Sequence, residues 1–280
     1  MKGAAEVKRT ILITGCSSGI GLASAIRLRR RGWRVLATVR KPEDAIRLAD
    51  EHDLEPFMLE LSDGASIAEC ADRALELSEG RIEALFNNAA FGQVGAVEDV
   101  TVDNLRRQFE VNLFGAHDLT CRILPAMRKQ RRGRIVQCSS VLGLVSGPYR
   151  GAYSATKFAM EALSDAMRLE LADSGVKVSL IEPGPIASSF LTTALQTFDQ
   201  TIDVENSPHR QTYKVRRARM EAGGNDRFKL PAEEVAKKLQ HAVESPNPKT
   251  RYFVTTPTYV ADGLRRVLPT RLLDRIVTSM

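Results

Sequence analysis

A doubly wound α/β fold around a parallel sheet is what this chain predicts, and three observations predict it. Apolar runs of strand length alternate with stretches of helical periodicity along most of the sequence, an order that implies parallel pairing with helices on both faces. The first apolar run, Ile11-Leu12-Ile13, passes through a glycine-rich turn into Leu22-Ala23-Ser24-Ala25-Ile26, which reads as strand, turn, helix. At 280 residues the chain can bury one substantial core undivided, so 1–258 is expected to be one domain, followed by an amphipathic tail over 259–280.

After that first unit, residues 33–39 read as strand two, 43–50 as a helix and 57–61 as strand three. A helix over 65–77 leads to a strand over 82–86, and helical stretches at about 103–114 and 117–128 precede a strand over 134–138. The helix 152–172 ends ahead of Gly175, 176–181 forms the next strand, and helix 231–243 with strand 251–254 completes the alternation. Between 188 and 230 the pattern loosens into Thr, Gln, Asn, Ser and Gly with scattered aromatics, too long for a simple connection. We read it as a substrate lid in which Phe190, Leu191 and Leu195 line an apolar pocket; the alternative is an insertion that touches no ligand. In the tail, Val260, Leu264, Val267 and Leu268, then Leu272, Leu273, Ile276 and Val277, recur at helical spacing among arginines, with Pro269 dividing them. Such a segment either packs on its own domain or a partner subunit, or lies on an anionic membrane surface.

Two features carry chemistry. Tyr153 and Lys157 stand four residues apart on a helix and share one face, where the ammonium is expected to favour the phenolate of Tyr153 and bring its proton within reach of acid–base chemistry. The turn Thr14, Gly15, Cys16, Ser17, Ser18, Gly19, Ile20, Gly21 is suited to a pyrophosphate, since glycines allow close approach and the N–H groups of the new helix face the ligand. Strand two ends Val39-Arg40-Lys41, with a guanidinium where an NAD site has an acid; this favours a 2′-phosphate and therefore NADP(H), with Lys41 or Ser17 supplementing Arg40. The alternative for Arg40 is an ordinary surface role.

Taken together, these motifs resemble the short-chain dehydrogenase/reductase family in unbroken order from about residue 8 to 190. The family's Thr-Gly-x-x-x-Gly-x-Gly matches Thr14 to Gly21, its Asn-Asn-Ala-Gly matches Asn87-Asn88-Ala89-Ala90, and its helix asparagine matches Asn112. Its catalytic serine matches Ser140, thirteen residues before Tyr153, and its Pro-Gly matches Pro183-Gly184. The run 141–148 and Glu182-Pro183-Gly184-Pro185-Ile186 are similar to the branch with 17-beta-hydroxysteroid dehydrogenases, retinol dehydrogenases and bacterial NADPH-dependent aldehyde reductases. The resemblance implies a Rossmann-type three-layer sandwich of about seven strands. It also implies cofactor contacts at Glu60, Leu61, Asn88, Ala89, Pro183, Gly184, Ile186 and Ser188, besides the turn and the Tyr153–Lys157 pair. Three positions depart from the pattern: Ala90 for glycine, Glu60 for aspartate and Ser188 for threonine, which alter fit without removing a catalytic group.

By this resemblance the expected reaction is reversible reduction of a lipophilic aldehyde or ketone, with Tyr153 as acid, Ser140 holding the carbonyl oxygen, Lys157 on the nicotinamide ribose and Asn112 placing a proton-relay water. Hydroxysteroid or retinol oxidoreduction is the alternative within the class, and a non-catalytic NADP(H)-binding regulator the alternative outside it. The family also implies a homodimer or homotetramer. A net charge of +6 comes from basic residues scattered near helix ends, and without a nucleic-acid module no nucleic-acid partner is expected. The four cysteines lack metal-ligand spacing, no metal is expected, and Cys16 reads as a small buried filler rather than a reactive thiol. With no secretory segment at 1–6 and no apolar run of ~18 residues, the expected location is cytoplasmic, peripheral to a membrane if the tail binds one.

Overall fold

Strand and helix alternate from the first described residues because β-branched and leucine-rich runs that can be buried on both faces are separated by helices with one apolar face. The computed structural model describes residues 9–224 and 227–279. The start read as lacking a secretory segment, residue 8 where the resemblance begins, 225–226 within the lid segment and the last residue of the tail lie outside the described residues.

The chain runs β1 (Thr10–Ile13), α1 (Gly19–Arg30), β2 (Arg34–Val39), α2 (Pro42–His52), β3 (Glu55–Met58), α3 (Gly64–Leu77) and β4 (Ile82–Asn87). It continues through α4 (Val102–Phe109), α5 (Gly115–Lys129), β5 (Gly133–Cys138), α6 (Gly151–Glu170), β6 (Val176–Glu182), β7 (Ile186–Ala187) and α7 (Phe190–Thr201). The remainder is α8 (Arg210–Glu221), β8 (Leu230–Pro231), α9 (Ala232–Glu244), β9 (Arg251–Phe253), α10 (Thr256–Val267) and α11 (Thr270–Ser279).

Seven strands form one parallel sheet in the order β3-β2-β1-β4-β5-β6-β9. The expected Rossmann-type sandwich is therefore present. One face buries Leu28, Trp33, Leu48, Val235 and Leu239 of α1, α2 and α9 and their neighbours, and the other buries Ile67, Ala71, Leu119 and Ile123 of α3 and α5. Strand order reverses between β1 and β4, and in open sheets of this kind the crevice beyond the carboxyl ends of the strands at that point is where ligands bind.

Three local expectations change. Strand three lies at Glu55–Met58 rather than 57–61, because its pairing register with Leu36–Val39 of β2 sets its ends. The two helices expected around Gly115 form one helical run joined by a π-helical turn, Glu110–Phe114. Gly115 does not break it: a Cβ there would lie 2.1 Å from the Leu61 carbonyl oxygen, so the glycine serves close approach. The loosened segment after 188 also holds two full helices, α7 and α8, clamped by the two-stranded β7–β8 pair. Its own small core joins Ala194, Phe198, Ile202, Tyr213 and Met220 to Val94 and Ala96. The Tyr213 hydroxyl accepts from the Ala96 N–H (2.8 Å) and donates to Asp99 Oδ2 (2.5 Å), while Ser207 donates to the same oxygen (2.6 Å). The tail forms the two helices expected on either side of Pro269, and no helix among the described residues is long and apolar enough to cross a membrane.

Candidate active site

The turn from β1 to α1 owes its shape to contacts from β2 and β4. Gly15 and Gly19 take left-handed φ values of 73° and 56°, and a Cβ on Gly21 would fall 2.0 Å from the Gly15 carbonyl oxygen. The Gly15 N–H donates to Thr38 Oγ1 (3.1 Å), and the Cys16 N–H to the Thr38 carbonyl (2.8 Å). Thr14 lies beneath the turn: its hydroxyl accepts from the N–H groups of Asn88 (2.8 Å) and Ala89 (2.9 Å). Asn88 returns the contact by donating Nδ2 to the Thr14 carbonyl (3.0 Å). Thr14 and Asn88 thus join two loops of the crevice and hold its floor. The Cys16 thiol is fully buried, donates to the Ile13 carbonyl and is pushed up by burial, which makes it a filler and not a nucleophile.

Around this floor stand the other residues expected at the cofactor. Ser18 begins α1 without capping it through its side chain, so the first-turn N–H groups remain directed at the crevice. Its hydroxyl lies 2.6 Å from that of Ser189, and a Cβ on Gly19 would come within 3.0 Å of Ser188 Cβ, so the residues leading into α7 rest on the turn. The Ser17 carbonyl accepts from Arg47 (2.7 Å), and Ile20 packs into the core. Arg40 is exposed at the tip of β2 with no acidic partner among the described residues, while Lys41 lies 3.7 Å from Glu43. Glu60 turns one carboxylate oxygen to Ser62 (2.8 Å), and the Leu61 side chain is buried in the core. Pro183 accepts from the Val141 N–H (2.8 Å), tying the strand β6 end to the loop of Ser140, and Gly184 and Ile186 follow it along the same wall.

The side chains expected to carry the chemistry come together at the ends of β5 and β6, on the face of α6 turned to the sheet. Tyr153 is 8% exposed and Lys157 1%, one turn apart on the buried face of α6. Lys157 Nζ donates to the Cys138 carbonyl (2.7 Å) and lies 5.6 Å from the centre of the Tyr153 ring. Ser140, at the end of β5, accepts from the Leu142 N–H (3.1 Å) and is near enough to Tyr153 to lower the phenol pKa. One expectation is reversed. The Tyr153 phenol is pushed up rather than down, because burial outweighs the lowering effects of the Ser140 hydrogen bond and the Arg150 charge. Lys157 is itself held below the usual lysine range by burial, with its ammonium directed to a backbone carbonyl.

Asn112 is completely buried in the π-helical turn. Its Oδ1 accepts from the Phe91 N–H (3.1 Å), and its Nδ2 donates to the Phe91 carbonyl (2.9 Å) and to Thr156 Oγ1 (3.4 Å). Its amide therefore anchors the loop after β4 and is not a helix cap. Sequence reasoning missed Thr156, which links Asn112 to the Tyr153 carbonyl (2.8 Å), although it lies inside the Tyr153–Lys157 run. Phe190, expected in the pocket, stands edge-on to the Tyr153 ring with centroids 5.5 Å apart. Arg150 beside Tyr153 was also missed, and nothing in its sequence context marks it.

The donor chemistry fits a dinucleotide: a glycine cradle that a single Cβ would fill, open helix N–H groups and a basic tip on β2. The family described as short chain dehydrogenase matches residues 9–199. The chain is 44% identical over 271 residues to the uncharacterized oxidoreductase YbbO of Escherichia coli strain K12, spanning 97% of this chain and 94% of that protein. It is 31% identical over 282 residues to the NADPH-dependent 3-dehydrocapnine reductase of Ornithobacterium rhinotracheale, spanning 96% and 95%. A Burkholderia phymatum short chain dehydrogenase/reductase crystallised in complex with NAD superposes with a TM-score of 0.79 at 25% identity, covering 93% of this chain and 92% of that one.

Proposed function

The chain belongs to the short-chain dehydrogenase family, and on that premise we propose that it is an NADP(H)-dependent oxidoreductase that reduces a lipophilic aldehyde or ketone to an alcohol, reversibly. The observation that carries the reading is the junction of Ser140, Tyr153 and Lys157 under the edge of Phe190. Bound at the crevice, the nicotinamide supplies or takes up the hydride.

Every other step falls to side chains. Ser140 and Tyr153 hold the carbonyl oxygen by hydrogen bonds, and Tyr153, kept protonated by burial, gives its proton to that oxygen as negative charge develops. Lys157 supplies positive charge beneath the phenol and binds the nicotinamide ribose, and Asn112 keeps the loop after β4 in register with α6. Phe190 excludes water and offers apolar surface to the substrate. The turn 14–21 takes the pyrophosphate. Arg40 takes a 2′-phosphate, a choice supported by its exposure without an ion-pair partner among the described residues and by the NADPH named for the Ornithobacterium relative. The Burkholderia structure with NAD makes selectivity the part to test first.

The test is consumption of NADPH, with NADH alongside, against medium-chain aldehydes, retinal and ketosteroids, for wild type and Arg40→Asp. We expect turnover of apolar carbonyls, a preference for NADPH, and a shift towards NADH in the variant of about tenfold or more, as loss of a charge-assisted contact implies. Unchanged selectivity would remove Arg40 from the cofactor site; binding of NADPH without turnover of any carbonyl would favour the regulator.

A further inference from the structure

Arginines are numerous on the lid, and most have partners. On α8, Arg210 pairs with Glu205 (2.5 Å), and Arg217 pairs with Asp199 (2.9 Å) and Glu221. Arg216 and Arg219 of the same helix have no carboxylate partner among the described residues, and neither has Arg150 at the start of α6. These three belong to one neighbourhood. The Arg216 guanidinium carbon lies 4.1 Å from the centre of the Tyr149 ring, Arg150 follows Tyr149 in the chain, and Tyr153 stands one turn further along α6. Arg216 Nε is buried with no hydrogen-bond partner.

Like charges gathered at a partly buried place are unfavourable unless something neutralises them. Stacking on Tyr149 offsets some of this for Arg216 but leaves its Nε–H without an acceptor. Burial holds both Arg150 and Arg216 below the usual arginine range, and Arg216 and Arg219 add their repulsion at Arg150. The cluster lies beside Tyr153, which Arg150 precedes by one turn at the start of α6, whereas the basic residues expected for a 2′-phosphate lie at the tip of β2. Phe190 gives this same side an apolar wall against Tyr153.

We infer that Arg150, Arg216 and Arg219 form an oxyanion-binding subsite, so that the preferred substrate is a lipophilic carbonyl compound carrying a carboxylate, phosphate or sulfonate head. The inference rests on the oxidoreductase reading for the word substrate, and names its class. The carbonyl meets Tyr153 and Ser140, the apolar chain lies along Phe190, and the head takes the guanidinium N–H groups, whose planar donors suit oxyanions.

Binding tests this without requiring turnover. Decanoate, decyl phosphate, decanesulfonate and uncharged 1-decanol are titrated calorimetrically into the full chain with saturating NADP⁺, for wild type, Arg216→Gln and Arg219→Gln. Arg219 is exposed, so its variant keeps the test readable if Arg216→Gln does not fold. At least one oxyanion is expected to bind about tenfold or more tightly than the alcohol, and each variant to lose several-fold to tenfold of that affinity while decanol changes less than about twofold. The tightest of the three anions identifies the head group. Equal binding of alcohol and oxyanions, no oxyanion binding, or variants that weaken both alike would overturn the inference. Absence of carbonyl turnover would count against the oxidoreductase reading alone, because head-group binding is read separately.

Discussion

At the scale of single residues, the balance of forces on Tyr153 decides, under the proposed mechanism, which half of the chemistry comes easily. Burial favours the neutral phenol, and Ser140 and Arg150 oppose it without winning. A neutral phenol is the form a carbonyl reduction needs at its start, whereas oxidation of an alcohol must first take the proton away. The folded phenol pKa, raised above its ordinary ~10, implies that Tyr153 remains protonated throughout the neutral range. A spectrophotometric titration of wild type minus Tyr153→Phe, without cofactor, should place the phenolate transition above that ordinary value. Ser140→Ala, by removing a lowering hydrogen bond, should move it further up. A transition at or below the ordinary value would mean that Lys157, and not burial, governs the phenol.

At the scale of elements, α6 is fastened to the sheet by a charge network. Arg251 of β9 donates to Glu161 Oε2 (2.9 Å) and to Asp165 Oδ1 (3.1 Å) and Oδ2 (2.8 Å), and its Nε lies 3.4 Å from Glu182 Oε1 at the end of β6. Glu161 follows Lys157 by one turn, so this network holds the helix face that carries Tyr153 and Lys157. Glu182 is completely buried and pushed up to about 9, by burial first and by the Glu161 charge second. Arg251→Met should destabilise the fold by about 3–5 kcal/mol, since it leaves the Glu161 carboxylate without its cation. Glu182 separates two effects of pH: with a folded pKa above its unfolded value near 4.5, the folded chain holds the extra proton, and stability falls as pH rises from there to about 9. Urea unfolding across that window should show the decline in wild type and a flatter profile for Glu182→Gln. Parallel profiles would remove Glu182 from the account.

At the scale of the whole molecule, sequence alone revealed the layered sheet, the glycine turn and the Tyr153–Lys157 face, because each is a local pattern: period, punctuation or i,i+4 spacing. What it concealed depends on distance in the chain. The π-helical turn that buries Asn112 against Phe91 rests on contacts twenty-one residues apart, and the apolar residues of α7 and α8 face a separate small core with Val94 and Ala96 that no local pattern announces. The raised phenol could not be read from spacing either, since i,i+4 placement gives proximity but not the direction of the ammonium, which turns to Cys138. Tail packing is divided: Ala261 and Asp262 are buried, whereas Val260, Val267 and Leu272, expected on an apolar face, are exposed.

The central claim is that Tyr153 donates the proton at a site assembled to bind NADPH. It is tested most directly by comparing Tyr153→Phe with wild type in two measurements on one sample: NADPH affinity, and single-turnover reduction of the best carbonyl substrate. The account predicts affinity unchanged within about twofold and a reduction rate lower by roughly 10²–10⁴, the range for loss of a general acid. Reduction at the wild-type rate with Phe at 153 would contradict it.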